Sequence, residues 1–495
     1  MSKKLPIFYN ALLLTVVNLL LRLVSTGFQV YLSGKIGAAG IGLLQLILSV
    51  GGMALTAGMA GIRTATMYIT AEELGKRRPE NVRWALSGCM KYSLSCSVAV
   101  AMLLYVIAPI VAKEWIGNPA VVGVVRLFSF FLPVNCLTGV MVGYFTAANR
   151  ISTLSVVEVA EQACSIGFTI SILHFWAGDN LIRACAGVVL GSGLSACFTL
   201  VCLLYLRKKE QAPLGVPISV RRRLYETAVP LALADDLKAG ISTTENLMVP
   251  KRLALCQKIG NPLAAFGMVC GMVFPILMFP MAILYGLAEL LIPEFARCAA
   301  AGSNVRIRYL AKRSLRLAML YGCFFCGLLF LLGDELCIWL YDNRDAGMYL
   351  KWFALLAPML YCDAITDAMI KGLGQQTACV RYNILTSGLD VLFLFLLLPT
   401  YGMEGYFFSF LVTHLLNFAL SVRRLIKLTG KIIPISTVVL TIAATACAIV
   451  MSGLVKTPIL RAGSYVVLLS CILYLFQVIG REDMRWIKGL VRRNK

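Results

Sequence analysis

One feature recurs along the whole chain: continuous apolar runs of about eighteen or more residues, separated by short basic segments. A helix of that length spans roughly 30 Å, the thickness of a bilayer's hydrocarbon core. Inside hydrocarbon every backbone N–H and C=O needs an internal partner, and only helices and closed barrels supply them. Barrel strands read as alternating segments of about ten residues; these runs do not alternate and are much longer. Composition agrees, with 59% of the 495 residues hydrophobic and 14% charged, against about 25% charged in soluble domains. No polar stretch is long enough to form a separate soluble domain. The fold class is therefore all-α, a polytopic membrane protein. The first apolar run exceeds a signal-peptide core, carries Asn18 and Arg22, and lacks a small-residue cleavage site, so it reads as a retained helix.

Fourteen spans are expected, from 8–33 to 462–480. The loops orient them. With the N-terminus cytoplasmic, the inner segments hold 32 of the 46 Lys and Arg and the outer side holds eleven. That is the positive-inside bias, and one missed helix would invert every later loop. Both termini are therefore expected in the cytoplasm of a multi-pass plasma-membrane protein. Short basic loops beside a membrane serve topology and anionic lipid, which accounts for the net charge of +22 without nucleic acid.

Redox, metal and nucleotide chemistry find little support. The 17 cysteines scatter through apolar runs, and the C-x-x-C of Cys323 and Cys326 lies well inside one, away from the accessible thiolate such chemistry uses. His174 and His414 stand apart from other ligand types, and no Walker or Gly-rich phosphate loop occurs. No cofactor, metal or catalytic residue is expected.

The Pro- and Arg-bearing segment RKKEQAPLGVPISVRRR divides the chain after six spans. The expected organisation is an N-lobe over 1–206, a cytoplasmic linker over 207–224, a C-lobe over 225–431, and two further helices with a basic cytoplasmic tail over 432–495. The halves echo each other weakly. GAAGIGLLQLILSVGGM from Gly37 can be laid over GNPLAAFGMVCGMVFPIL from Gly260, and each leads to a small acidic segment, AEE at Ala71 and PEF at Pro293. Parallel repeats of this kind are related by an axis along the membrane normal.

Polar residues within the spans fall at helical spacing. Asn18, Arg22, Ser25 and Gln29 share one face; Glu158, Glu161, Gln162 and Ser165 share another; Asp235, Lys238, Ser242 and Glu245 a third; Asp363, Asp367 and Lys371 a fourth. An arginine at a helix centre costs roughly 2.5–3.5 kcal/mol on insertion scales. Its stripe therefore faces protein or a water-filled cavity. Internal pairing is one reading, with Asp235 bridging Lys238 and Arg22 meeting Glu158. A shared cavity lined by Arg22, Asn18, Gln29, Lys238, Asp235, Glu245, Glu158, Glu161 and Asp363 is the other. Arg63 fits a cavity and an anchor at the inner surface equally well.

The segments RLVSTGFQVYLSGKIGAAGIGLLQL, GMAGIRTATMYITAEELGK and FGMVCGMVFPILMFPMAILYGLAELLIPEFA resemble the multidrug/oligosaccharidyl-lipid/polysaccharide flippase superfamily. The chain is most similar to the stage V sporulation protein B branch of its polysaccharide-transporter group, over nearly its whole length. The resemblance implies two six-helix lobes forming a V around a central cavity, open alternately to either side, plus two C-terminal helices. It implies outward movement of an undecaprenyl-pyrophosphate-linked oligosaccharide or peptidoglycan precursor, in spore-cortex or cell-envelope synthesis. Arg22 matches the first-helix arginine of such flippases, and Lys238 holds the corresponding place only by the repeat. Implied partners are the lipid-linked glycan, membrane lipids and cell-wall or polysaccharide synthases. Two other readings stand beside it: an H⁺- or Na⁺-driven multidrug antiporter, for which Asp235, Glu158 and Asp363 speak, and a membrane-embedded transferase or scaffold.

Overall fold

The structure, a computed structural model, describes residues 5–75, 79–178, 180–208, 221–430 and 435–476. Among the described residues there is no strand, and the chain divides into two compact units at Gly267. Among the described residues ten helices are long and apolar enough to cross a membrane, and two bent helix pairs, each taken as one span, raise this to twelve. The fourteen spans expected from the sequence exceed these twelve at two places. The first helix is two helices joined at Gly37, whose φ of 68° is the left-handed conformation that glycine adopts freely. The seventh is 33 residues long but too polar to pass on hydropathy.

The first unit contains α1 (Leu5–Met59), α2 (Ile62–Gly75), α3 (Pro79–Ile110), α4 (Val122–Ala147), α5 (Ile151–Ile172), α6 (Leu181–Lys208) and α7 (Arg221–Leu253), and ends within α8 (Pro262–Met268). Helix α4 packs between α3 and α6, α5 lies along α6, and α1 touches α3, α4, α5 and α7. In lipid the hydrophobic effect gives helices no reason to associate, so close approach and polar contacts hold them together. Both are present. A Cβ on Gly143 of α4 would stand 2.4 Å from the carbonyl oxygen of Arg63, and one on Gly193 of α6 would stand 2.3 Å from the Phe131 ring. Helix α7 is fastened to α1 where Thr243 Oγ1 donates to the Ser49 carbonyl at 3.1 Å and Asn246 Nδ2 to Ser49 Oγ at 3.0 Å.

The acidic segment after Ala71 has a packing role. Glu73 is buried and accepts from Asn81 Nδ2 and Arg223 Nη1, each at 3.1 Å. One carboxylate thus ties α2, α3 and α7 together at one end of the unit. These contacts carry the compact unit past the basic linker at 207–224 and include α7 in it, whereas the repeat in the sequence counts six helices before the linker.

The second unit contains α9 (Phe274–Met278), α10 (Met281–Ala300), α11 (Asn304–Tyr341), α12 (Arg344–Ala354), α13 (Ala357–Gly372), α14 (Gln376–Tyr401), α15 (Met403–Thr429), α16 (Ile435–Gly453) and α17 (Pro458–Leu475). Its bends follow proline chemistry. Pro280 immediately precedes α10, and Pro358 lies in the first turn of α13, after a 54° break from α12. Carbonyls at the bend accept from tyrosines of neighbouring helices: Tyr321 Oη donates to the Pro280 oxygen at 2.8 Å, and the fully buried Tyr361 donates to the Leu277 oxygen at 2.7 Å. Phe274, Phe353 and Phe410 form an aromatic cluster with centroids 5.3–5.5 Å apart.

The final two helices dock on α11. Tyr465 of α17 is fully buried and donates to the Cys323 carbonyl at 2.9 Å. Arg461 pairs with Glu335 at 2.9 Å. The Tyr465 ring lies over Gly327, where an added Cβ would fall 2.1 Å from the ring carbon bearing the hydroxyl. Gly327→Ala should therefore lower the melting temperature of the purified protein, by the equivalent of about 1–3 kcal/mol. Gly463→Ala, on α17 with nothing within 4 Å of the added methyl, should be neutral or slightly stabilising. Equal melting of both variants would contradict this docking.

Candidate functional site

The polar stripe of α1 begins beyond the well-described side chains: that of Asn18 lies outside the described set. Arg22 is half-exposed, and the Thr26 hydroxyl donates to its carbonyl at 2.9 Å, so that hydroxyl is satisfied within the helix. Among the described residues, no carboxylate lies within ion-pair distance of Arg22. Seven residues on, Gln29 is half-buried and its Nε2 is buried without an acceptor. An amide left unsatisfied in this way costs about 1–3 kcal/mol unless a ligand or water completes it. The stripe thus presents a guanidinium and an amide donor.

The carboxylates of α5 are arranged differently. Glu158 and Glu161 are both half-buried on one face. Arg63 of α2 lies close enough to act on the charge of Glu158, and Thr199 of α6 lies beside Glu161. Among the described residues no ion pair joins Arg22 to Glu158, and the cation whose charge reaches Glu158 is Arg63. Arg63, for which the sequence left an anchor and a cavity role open, is an exposed cation facing a carboxylate.

On α7, Asp235 and Lys238 are both exposed, and no ion pair joins them. Asp236 was not singled out by the spacing, yet its Oδ1 is buried without a partner. Glu245 is half-buried and engaged by a neighbour. Helices α5 and α7 both pack on α1, so all the first-unit candidates stand on one connected set of helices.

Asp363 belongs to the second unit and has its own partners. Its Oδ2 accepts from Asn417 Nδ2 of α15 at 3.1 Å, and its Oδ1 is buried and unpaired. A turn later Asp367 accepts from Ser421 at 3.4 Å and stands 3.8 Å from Lys371, and Arg424 donates to Gln375. The sequence reading missed Asp390 of α14. It is buried and accepts from Ser409 Oγ at 2.6 Å and Thr413 Oγ1 at 3.2 Å. The available signal was a lone aspartate in the apolar run LDVLFLF, together with hydroxyls four residues apart on the next span. Among the described residues, no three His, Cys, Asp or Glu side chains group as metal ligands.

The proximity of Arg63 and Glu158 has a measurable consequence. In a thermal-unfolding cycle, Arg63→Gln and Glu158→Gln should be non-additive, the double variant being more stable than the sum of the single losses by about 0.5 kcal/mol or more. Strict additivity would mean that the two charges do not sense each other.

Residues 7–228 match the polysaccharide biosynthesis protein family. Stage V sporulation protein B of Bacillus subtilis (strain 168) is 19% identical over 97% of both chains. Among solved structures, the lipid II flippase MurJ in an inward closed conformation aligns with a TM-score of 0.70 at 10% identity, covering 96% of this chain and 99% of its own. An inward-facing multidrug resistance MATE family transporter of the MOP superfamily aligns with a TM-score of 0.65 at 14% identity, covering 84% and 99%. The protein is thus a multi-pass membrane protein with the fold of the MOP superfamily, a distant homologue of stage V sporulation protein B whose first half matches the polysaccharide biosynthesis family.

Proposed function

We propose that the protein is a flippase that carries a lipid-linked pyrophosphate sugar, an undecaprenyl-linked oligosaccharide or peptidoglycan precursor, from the inner to the outer leaflet by alternating access. The observation that carries this reading is Arg22. It sits mid-helix in an apolar run, half-exposed, with no described carboxylate at ion-pair distance and a donor-bearing Gln29 on the same face. A cation with no counter-charge among the described residues is suited to an anion from outside. The guanidinium fork matches phosphate oxygens in a way a single ammonium does not. Lys238, exposed on α7, is a second cation for the same substrate. The names of a structural neighbour and of the matched family support this substrate class: the neighbour is a lipid II flippase, and the family is one of polysaccharide biosynthesis.

The energetics suit an anionic cargo. A lipid-linked pyrophosphate carries roughly two negative charges. An inside-negative potential drives each outward by about 2.3 kcal/mol per 100 mV. That force needs no tightly coupled counter-ion. The polyprenyl tail stays in lipid while the headgroup crosses in a polar path. In this reading Glu158, Glu161, Asp235, Glu245 and Asp363 shape and balance the path, Asn18 extends the α1 stripe, and both termini and the 207–223 segment are cytoplasmic, where the basic loops lie.

A second reading, a cation-driven multidrug antiporter, draws on the buried Asp390 with its two hydroxyl donors, on the unpaired Oδ1 of Asp363, and on the MATE-type relative. The two readings make opposite demands on Arg22. In proteoliposomes scored for exposure of a lipid-linked pyrophosphate sugar on the far leaflet, Arg22→Ala should reduce flipping at least tenfold at normal folded yield. Arg22→Lys should retain part of it. Normal flipping by a stably folded Arg22→Ala would contradict the proposal.

A further inference from the structure

A second cationic feature lies away from the α1 stripe. Arg83, Ser87, Met90, Lys91 and Leu94 of α3 fall at i, i+4, i+7, i+8 and i+11, a single helical face. Together with Leu137 of α4 and Arg207 in the last turn of α6 they line an open groove of about 360 Å³. The residues are ordered by depth. Arg83 and Arg207 lie near helix ends at the same end of the unit, because α3 starts there and α6 finishes there. Leu94 is about 16 Å further along α3 at 1.5 Å per residue, and Leu137 lies about 15 Å back from the end of α4. Lys91 stands between, with a stem long enough to bring its ammonium back toward the helix end.

The groove is therefore cationic at its mouth and apolar along its floor. Arg83 and Lys91 are exposed, and among the described residues neither has an ion-pair partner. Among the described residues no acidic side chain lines the groove, and Leu94 is 46% exposed. A soluble anion would satisfy the mouth and leave the floor uncovered. An acyl chain alone would satisfy the floor and leave Arg83 and Lys91 unmatched. We propose that this groove binds an anionic phospholipid of the adjoining leaflet, with the phosphate held by Arg83, Lys91 and Arg207, the Ser87 hydroxyl beside it, and a chain lying over Met90, Leu94 and Leu137. The site shares no residue with the α1, α5 and α7 stripes, so it is separate from the transport path proposed above. It gives α3, α4 and α6 a common ligand, so lipid composition would bear on how firmly they pack.

The test is retention of lipid by the full-length, detergent-purified protein in native mass spectrometry, which reads binding without transport. Phosphatidylglycerol should be retained over phosphatidylcholine of the same chains. The combined variant Arg83→Gln, Lys91→Gln, Arg207→Gln should weaken that retention about tenfold or more. Leu137→Trp, which fills the floor and leaves every charge in place, should also weaken it. Lys91→Gln alone, on an exposed side chain, keeps the test valid if the triple variant folds poorly, and should show a smaller loss in the same direction. Equal retention of the two lipids, or unchanged phosphatidylglycerol binding in Lys91→Gln and Leu137→Trp, would overturn the proposal. So would glycerol phosphate binding as tightly as the intact lipid, since that would make the groove a site for soluble phosphate. Absence of flipping by the wild-type protein, with lipid binding intact, would count against the transport reading and leave this one standing.

Discussion

A guanidinium cannot rest in hydrocarbon. Everything specific about this protein follows from that constraint acting on a chain that is otherwise mostly apolar. Arg22 interrupts the first helix where leucines would serve insertion better, at a cost of roughly 2.5–3.5 kcal/mol. The fold must therefore give it a polar surface, and α1 does so by carrying Ser25, Gln29 and Arg22 on one side. The usual remedy, a buried counter-charge at ion-pair distance, is absent among the described residues, and the cation whose charge reaches Glu158 is Arg63. What remains for Arg22 is water or an anionic substrate.

The same reasoning explains how the helices are held. Without a hydrophobic force between them, the contacts are those that lipid cannot make. Glycines at Gly143, Gly193 and Gly327 let backbones and rings approach to distances a methyl group would forbid. Glu73 gathers Asn81 and Arg223, Asp390 gathers Ser409 and Thr413, and Tyr361 and Tyr321 donate to carbonyls at a bend. Each is a polar group whose partner lies on another helix or past a break. A carboxylate in such a place is structural when its oxygens are satisfied, as at Glu73. It becomes a candidate for function when one oxygen is left over, as at Asp363 and Asp236.

Much of this was legible in the sequence, for definite reasons. The all-α membrane class follows from the length of the apolar runs, and the stripes follow from the 3.6-residue period, which chemistry cannot disguise. Partners were not legible. Spacing allowed Arg22 to meet Glu158 and Asp235 to meet Lys238, because sequence distance limits neither the angle nor the neighbouring helix; in the fold the cation whose charge reaches Glu158 is Arg63, and Asp235 and Lys238 both point to open surroundings. Asp390 escaped notice because its donors, Ser409 and Thr413, are on the next helix and look like ordinary small residues of an apolar run. The place of α7 in the first compact unit was also hidden, since it depends on Thr243 and Asn246 finding Ser49 nearly two hundred residues earlier.

The central claim is that an uncompensated cation on α1 selects an anionic, lipid-linked cargo. The most direct measurement is binding to the purified protein in micelles, comparing a polyprenyl-pyrophosphate sugar with a lipophilic cationic dye in wild type and Arg22→Ala. The account predicts that the pyrophosphate lipid binds wild type at least tenfold more tightly than the variant, and that the dye binds both weakly. Dye binding that survives or strengthens in Arg22→Ala, with no preference of either protein for the pyrophosphate, would contradict it.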